Sequence, residues 1–203
     1  DTSADPREFH NQDPFLRTYE GNIPGMSSGV TLTDDQRPWI AELISKGYDK
    51  SLNETNVFNP VKNHPDFTGS GMNFPPPVYN DRDSSVAFLT DEILKWLSVR
   101  EGENWFAHLS YLRPHPPWIA PEPYNSMYNH SDIPPPIRRE SLDVEGKQHP
   151  LLKILLENIL RKDLSPDKHK IPASQASHLD VCKTRATYFG LITEVDYNLG
   201  RIF

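Results

Sequence analysis

The stretch HLSYLRPHPPWIAPEPY, residues 108–124, joins an apolar run to a histidine set among prolines. The run begins at Trp105 and has the length and aromatic content of a buried strand. Proline restricts its own φ angle and has no backbone N–H, so the prolines around His115 end a sheet ladder and leave the backbone little freedom. A histidine held this way just past a strand end indicates a ring that must keep a fixed position beside a substrate.

The segment of about residues 84–100 is the clearest predicted helix. Its apolar side chains recur at helical spacing and should form the buried face: Val86, Leu89, Ile93, Leu94 and Leu97. The opposite face should be solvated: Thr90, Asp91, Glu92 and Lys95. A strand that follows such a helix is typical of an α/β sheet.

Three further helices are predicted. The first starts after the N-cap candidate Thr33 and ends at Gly47, and the second lies around residues 149–163, where His149 precedes a first-turn proline. The last covers residues 179–203 and should pack on the sheet through an apolar stripe of Val181, Tyr188, Leu191, Ile192, Val195, Leu199 and Ile202.

Composition indicates one large domain or part of one. The chain has 203 residues, of which 36% are hydrophobic and 20 are proline. This balance predicts a modest core braced by ordered proline-rich loops, at about residues 1–30, 49–83 and 113–145. The chain opens without Met and stops inside a predicted helix, so we expect a piece of a longer protein.

Charge and cysteine content exclude several classes. A net charge of -7 without any basic run argues against nucleic-acid binding. No apolar stretch approaches the ~18 residues that span a membrane, so no membrane partner is expected. The single cysteine, Cys182, excludes an internal disulfide and a multi-cysteine metal site, and favours a reducing, cytoplasmic location.

Several stretches together resemble one family, over most of the chain and in order. WFAHLSYLRPHPPWIAPEPY resembles the strand and loop of sulfatase-type hydrolases in the alkaline phosphatase superfamily, nearest to phosphonate monoester hydrolases and related arylsulfatases. AFLTDEILKWL, YFGLITEVDYNLGRIF and DTSADPR resemble the flanking helices and early loop of that branch. The resemblance implies an α/β fold, an alkaline-phosphatase-like sandwich of helices around a mostly parallel sheet that is incomplete at both ends. Residues 1–203 would form the central part of a single catalytic domain.

The resemblance also implies a chemistry. Members of this family hydrolyse sulfate or phosphonate and phosphate esters with a formylglycine nucleophile and a divalent cation, here Ca or Mn. By position, His115 matches the family histidine that contacts the transferring group and stabilises the developing charge or the departing oxygen. Arg113 could bind a small anionic ester substrate, or it could make an ion pair that holds the loop.

The resemblance is incomplete in ways that matter for activity. The family's nucleophile motif would precede residue 1 and its metal ligands would follow residue 203, so no metal ligand is expected in this segment and the chain alone should be inactive. Cys182 lies in VCKTRAT, which departs from the nucleophile motif, and should be a buried structural thiol. A non-catalytic, phosphotransferase or isomerase member of the superfamily remains an alternative, and a homo-oligomer is allowed.

Other candidate residues have plain structural explanations. Glu194 and Asp196 form a tempting carboxylate pair, but their helical position predicts a solvated face. His108 alternates along the predicted strand and is expected to be a hydrogen-bonded core or interface residue. Three aromatic residues could line a pocket for a leaving group or pack under the loop: Trp118, Tyr124 and Tyr128.

Overall fold

A computed structural model of the protein describes residues 36–62, 75–160 and 173–203, together with residues 27, 29, 30, 32 and 164. These ranges contain the helices α1 (Arg37–Ser45), α2 (Ser85–Ser98), α3 (Leu142–Gly146), α4 (Pro150–Asn158) and α5 (His178–Gly200). Short 3₁₀ turns occur at Asp81–Asp83, His130–Asp132 and Ala173–Gln175. The predicted N-cap Thr33 and most of the predicted loop at residues 1–30 lie outside the described residues.

Helix α1 ends at Gly47, as predicted. Gly47 has a φ of 99°, a region that residues with a Cβ rarely adopt. Its N–H donates to the Ile44 carbonyl at 3.1 Å, and the Tyr48 N–H donates to the Leu43 carbonyl at 3.1 Å. This pair of bonds is the Schellman motif, which satisfies carbonyls that the helix end would otherwise leave unpaired.

Helix α2 starts where its sequence predicts, but one side of it is more deeply buried than expected. The Ser84 hydroxyl caps the helix by accepting the Ala87 N–H at 3.2 Å. Thr90, predicted on the solvated face, is fully buried. Its hydroxyl donates to the Val86 carbonyl at 2.8 Å and lies 2.6 Å from the Tyr111 hydroxyl, so the burial of this polar group is compensated by hydrogen bonds.

The main apolar core lies between α1, α2 and the loops that precede α2. It consists of Trp39, Ile40, Leu43, Val57, Tyr79, Phe88 and Leu89. The Trp39 and Tyr79 rings meet edge to face with centroids 5.0 Å apart, and the Trp39 indole N–H donates to the Asp83 carbonyl at 2.8 Å. These contacts attach α1 to the start of α2.

The sheet that the sequence predicts is not seen in the described ranges, which contain isolated bridges only, one of them between Pro60 and Pro77. The predicted buried strand at residues 105–112 alternates instead: Leu109 and Tyr111 pack on the core, whereas Phe106 is 78% exposed. Such a run is buried on both faces only when neighbouring strands and a second layer cover it. His108, predicted as a core or interface residue, is exposed in the described part of the chain.

Helix α5 buries a face that only partly overlaps the predicted stripe, of which Leu191 is fully buried. The buried residues of the helix are Cys182, Thr184, Ala186, Thr187, Gly190, Leu191, Glu194 and Asn198. Ile192 and Leu199 of the predicted stripe are exposed, and the buried face is offset from that stripe by one residue, or about 100° around the helix. The prediction followed apolar spacing, whereas the buried face also contains small and polar side chains. Cys182 is a buried free thiol, as predicted.

The proline-rich loop lies along α5. The Tyr128 hydroxyl is 2.7 Å from the Thr193 hydroxyl, and Arg185 donates to the Pro134 carbonyl. The backbone of Tyr124 lies directly over Gly190. The approach is so close that a Cβ at residue 190 would overlap the Tyr124 carbonyl oxygen. Only glycine permits so close an approach of loop and helix.

Helix α4 is shorter than the predicted span but starts at the predicted place. The His149 Nδ1 accepts the Leu151 N–H at 3.1 Å, and Pro150 occupies the first turn. The apolar side chains of Leu151, Ile154 and Leu155 are exposed. In the described ranges, none of the helices has both the length and the apolar character that crossing a membrane requires.

We predict that Gly190→Ala destabilises the complete protein by about 3 kcal/mol, since the new methyl group would force the loop backbone off the helix. Gly200→Ala is the matched control, because a Cβ there meets no atom within 4 Å. Urea unfolding should place the Gly200 variant within ~1 kcal/mol of wild type. Equal stability of the two variants would contradict the close approach.

The Asp83 carboxylate joins the end of α1 to the turn before α2. It accepts from the Lys46 ammonium at 2.7 Å, the Tyr48 hydroxyl at 2.8 Å and the Asn80 amide at 2.9 Å. Burial alone would raise the pKa of Asp83, but the hydrogen bonds from Lys46 and Tyr48 outweigh it and hold the pKa below its ordinary value of 3.8.

We therefore predict a stability contribution from Asp83 that depends on pH. A carboxyl pKa that is lower in the folded chain adds stability above the ordinary value, and this stability is lost as the pH falls through the folded value. Wild type should be more stable than Asp83→Asn near neutral pH, and urea unfolding should show the gap closing on acidification below pH 3.8. Lys46→Met should reduce this pH dependence. A gap that does not change with pH would contradict the assignment.

Candidate active site

The loop that carries His115 is held by backbone and side-chain hydrogen bonds. The Arg113–Pro114 and Pro116–Pro117 peptide bonds are cis. The His115 N–H donates to the Leu112 carbonyl at 2.9 Å, which turns the chain immediately after the apolar run. The Trp118 indole N–H donates to the Pro114 carbonyl at 3.1 Å and so closes the loop from the other side of His115.

Arg113 lies inside this loop. It is only 8% exposed, and its Nη1 donates to the carbonyl of Pro117 and, at 3.2 Å, to that of His115. Its guanidinium also lies 4.7 Å from the centre of the Phe58 ring, a cation–π arrangement. These contacts favour the loop-holding alternative for Arg113 over direct contact with a substrate.

The His115 ring is exposed and has one nitrogen committed to the loop. Its Nδ1 lies 2.8 Å from the Pro116 carbonyl oxygen. A carbonyl can only accept, so we assign the proton to Nδ1, and Nε2 is then the nitrogen available to a ligand. Neutral histidine would present an acceptor at Nε2, and the imidazolium would present a donor.

A buried polar cluster lies behind the loop, and it includes a residue whose environment was predicted wrongly. Glu194 was expected on a solvated face, yet it is 1% exposed. Burial raises the pKa of Glu194, and a hydrogen bond from the Ser84 hydroxyl and the charge of Arg113 offset part of this effect. Burial also raises the pKa of the nearby Tyr79 to about 12.

Two buried atoms in this cluster lack a hydrogen-bond partner among the described residues. They are Nη2 of Arg113, a donor, and Oε1 of Glu194, an acceptor. Sequence reasoning missed Glu194 because its apolar neighbours on α5 suggested a different buried face. The signal that could have found it is the spacing of Thr187, Glu194 and Asn198 along one side of the helix.

The other carboxylates behave as surface residues. Asp196 is exposed. Glu92 pairs with Lys95 at 2.6 Å within α2, and Asp91 pairs with Arg201 between α2 and α5. Exposed pairs of this kind contribute little stability.

The aromatic candidates pack between the loop and α5. Tyr124 is buried with Ala120 and Leu191, and the Trp118 ring packs against this cluster. The Trp118 and Tyr188 rings meet edge to face with centroids 6.4 Å apart. The packing alternative therefore describes Trp118 and Tyr124 better than a leaving-group pocket does.

In the described part of the chain, no group of three or more His, Cys, Asp or Glu side chains is arranged to hold a metal ion. The Cys182 sulfur lies 3.7 Å from Nδ1 of His178, one helical turn earlier. A pair of this kind on one helix is not a metal site.

The family model described as Sulfatase matches residues 25–203. The chain belongs to the sulfatase family. This confirms the resemblance on which the sequence analysis relied.

Two curated relatives agree with this assignment. The multifunctional alkaline phosphatase superfamily protein PehA of Trinickia caryophylli is 33% identical over all of this sulfatase chain and 38% of its own length. An arylsulfatase of Clostridium perfringens is 24% identical over 95% of the chain and 35% of its own length. The sulfatase chain thus spans less than two fifths of each of these relatives.

Solved structures extend the comparison to the fold. The phosphonate monoester hydrolase of Agrobacterium radiobacter superposes with a TM-score of 0.84 and 36% identity, over 98% of this chain and 38% of the other. The sulfatase chain therefore shares the fold of alkaline phosphatase superfamily hydrolases over the matched region. The branch suggested by the loop motif is confirmed at this level.

Proposed function

We propose that this chain is the central part of a metal-dependent hydrolase of sulfate or phosphonate and phosphate esters, in which His115 is a catalytic residue. Similarity to phosphonate monoester hydrolases over nearly the whole chain supports the reaction class. The observation that carries the role of His115 is its ring, which is anchored at Nδ1 and exposed on a hydrogen-bonded loop. Small anionic esters are the proposed substrates.

His115 would act on the oxygen that gains negative charge as the ester bond breaks. With the Nδ1 proton held by the Pro116 carbonyl, a protonated Nε2 donates a hydrogen bond or a proton to that oxygen. A ring whose orientation is set beforehand needs no reorganisation when charge develops, which is the main requirement for this type of stabilisation. After proton transfer the ring is neutral and remains bound to Pro116.

The cation and the nucleophile belong to other parts of the proposed enzyme. The described residues do not fit a metal site, so we place the divalent cation, Ca or Mn, and the formylglycine on segments outside the described part of the chain. When bound, the cation polarises the sulfate or phosphonate group. The chain alone would then be inactive, because a single imidazole replaces neither group.

We place residues 105–112 as one strand of the mostly parallel sheet, paired with strands outside the described ranges. Two features support this position: the alternating burial along the run, and the exposure of the large apolar side chains Trp105 and Phe106. The loop of His115 would then follow the strand at the sheet edge where ligands of α/β proteins bind.

We predict that His115→Ala lowers kcat at least ~100-fold in the complete metal-loaded enzyme, the scale of one lost acid or charge-stabilising contact. The assay would use 4-nitrophenyl sulfate, a phenylphosphonate monoester and a phosphate diester. His130→Ala, which changes an exposed histidine of the same loop, is the control and should keep wild-type turnover. Turnover indifferent to His115, or no turnover of any ester by wild type, would refute the proposal.

A further inference from the structure

We infer that Arg113 is a positioning residue for His115, because it holds the part of the loop that supplies the carbonyl on which the imidazole is anchored. The inference rests on the proposed function of His115. It adds to that function a buried guanidinium that contacts neither the substrate nor the reacting atoms and acts only by setting the orientation of the ring.

The loop around His115 has few backbone donors of its own. Pro116 and Pro117 lack a backbone N–H, and the His115 N–H is already used by the Leu112 carbonyl at 2.9 Å. The carbonyls of residues 115–117 therefore depend on donors from outside this tripeptide. The Pro116 carbonyl matters most for the reaction, because its oxygen lies 2.8 Å from Nδ1 of His115 and sets the direction of the ring.

Arg113 supplies donors on both sides of Pro116. Its Nη1 donates to the His115 carbonyl at 3.2 Å and to the Pro117 carbonyl. The Pro117 carbonyl also accepts the Ile119 N–H at 2.9 Å. One rigid, planar group thus holds the carbonyl before Pro116 and the carbonyl after it, so the Pro116 carbonyl between them has little freedom to turn.

The guanidinium is in turn held by two aromatic side chains. It lies 4.7 Å from the centre of the Phe58 ring in a cation–π arrangement. The Phe58 ring meets the buried Tyr79 ring at 84°, with centroids 6.4 Å apart. Burial raises the pKa of Tyr79 to about 12, and the charge and the donors of Arg113 offset part of that rise. The position of Arg113, and through it that of the loop, is therefore fixed relative to the main apolar core.

These contacts define what a substitute at residue 113 would lack. Lysine keeps the positive charge, but its ammonium is a single point on a flexible chain and has no planar face to stack on Phe58. The carbonyls of His115 and Pro117 would then be held less firmly. The Pro116 carbonyl could turn away from Nδ1, and Nε2 would no longer face a fixed place.

The alternative is a purely structural role, in which Arg113 affects turnover only through the amount of folded enzyme. A residue that acts through His115 costs nothing further once His115 is absent, whereas a loss of folded enzyme lowers kcat equally in both backgrounds. A misplaced proton donor also slows esters with poor leaving groups most, since these need the proton most. A loss of folded enzyme slows all esters by the same factor.

The first experiment measures kcat and KM of Arg113→Lys in the complete metal-loaded enzyme, alone and combined with His115→Ala. The substrates are the 4-nitrophenyl and phenyl esters of the acid that the enzyme turns over best. We expect Arg113→Lys alone to lower kcat by about 10- to 100-fold with little change in KM, and most for the phenyl ester, the one with the poorer leaving group. The double variant should be no slower than His115→Ala. Equal losses in both backgrounds, or on both esters, would overturn the inference.

Arg100→Lys is the matched control. The Arg100 guanidinium lies 3.9 Å from the centre of the Trp96 ring and donates to the Trp96 carbonyl at 2.7 Å, so it makes the same two kinds of contact at the end of α2. This variant should keep wild-type kcat on both esters. A loss equal to that of Arg113→Lys would overturn the inference.

A second variant covers the case in which Arg113→Lys does not fold. Phe58→Leu removes the cation–π contact but keeps an apolar side chain against the core, and the bonds from Arg113 to the two carbonyls remain. Because the guanidinium is then held less firmly, kcat should fall by about 3- to 10-fold, again most for the phenyl ester. In that case, unchanged kcat on both esters in the folded Phe58→Leu enzyme would overturn the inference.

A readout that does not need turnover separates this inference from the proposed function. In protein labelled at the histidine nitrogens, the ring signals of His115, assigned with His115→Ala, should place the proton of the neutral ring on Nδ1. The fraction of this tautomer should fall in Arg113→Lys and stay unchanged in Arg100→Lys. If no ester is turned over but the fraction falls, the proposed function fails and the link between Arg113 and the ring stands. An unchanged fraction in Arg113→Lys would overturn the link itself.

Discussion

The guanidinium of Arg113 is the group on which the arrangement of the loop depends. It is buried between a Phe58 ring and two carbonyls of the loop, so it touches the main apolar core and the candidate active site at once. Burying a guanidinium is unfavourable unless its donors are used. The surrounding elements therefore have to meet at this point in one arrangement, and the orientation of His115 is a consequence of that requirement.

The features that could be predicted from the sequence are those that local rules decide. Gly47 ends α1 because a Schellman motif needs a positive φ, and His149-Pro150 starts α4 because the missing proline N–H costs nothing there. The loop around His115 could be recognised because each proline fixes its own φ angle and lacks a backbone N–H. Family membership followed from several such segments appearing in order.

The features that could not be predicted are those that depend on which distant parts of the chain pack against each other. Apolar spacing suggested one face of α5, whereas the buried face also contains Gly190, Glu194 and Asn198. Thr90 was predicted to face solvent, but it is buried next to the Tyr111 hydroxyl, which is its hydrogen-bond partner. In each case a polar or small side chain is buried because a distant part of the chain satisfies or fits it, and spacing along one helix holds no information about that partner.

The segment of residues 105–112 has a further consequence for the behaviour of the polypeptide. Its backbone has no ladder partner in the described part of the chain, and Trp105 and Phe106 are 52% and 78% exposed. An extended, apolar run with free N–H and C=O groups is a template for strands of other molecules. A form of the protein that leaves this edge uncovered would thus associate intermolecularly through it.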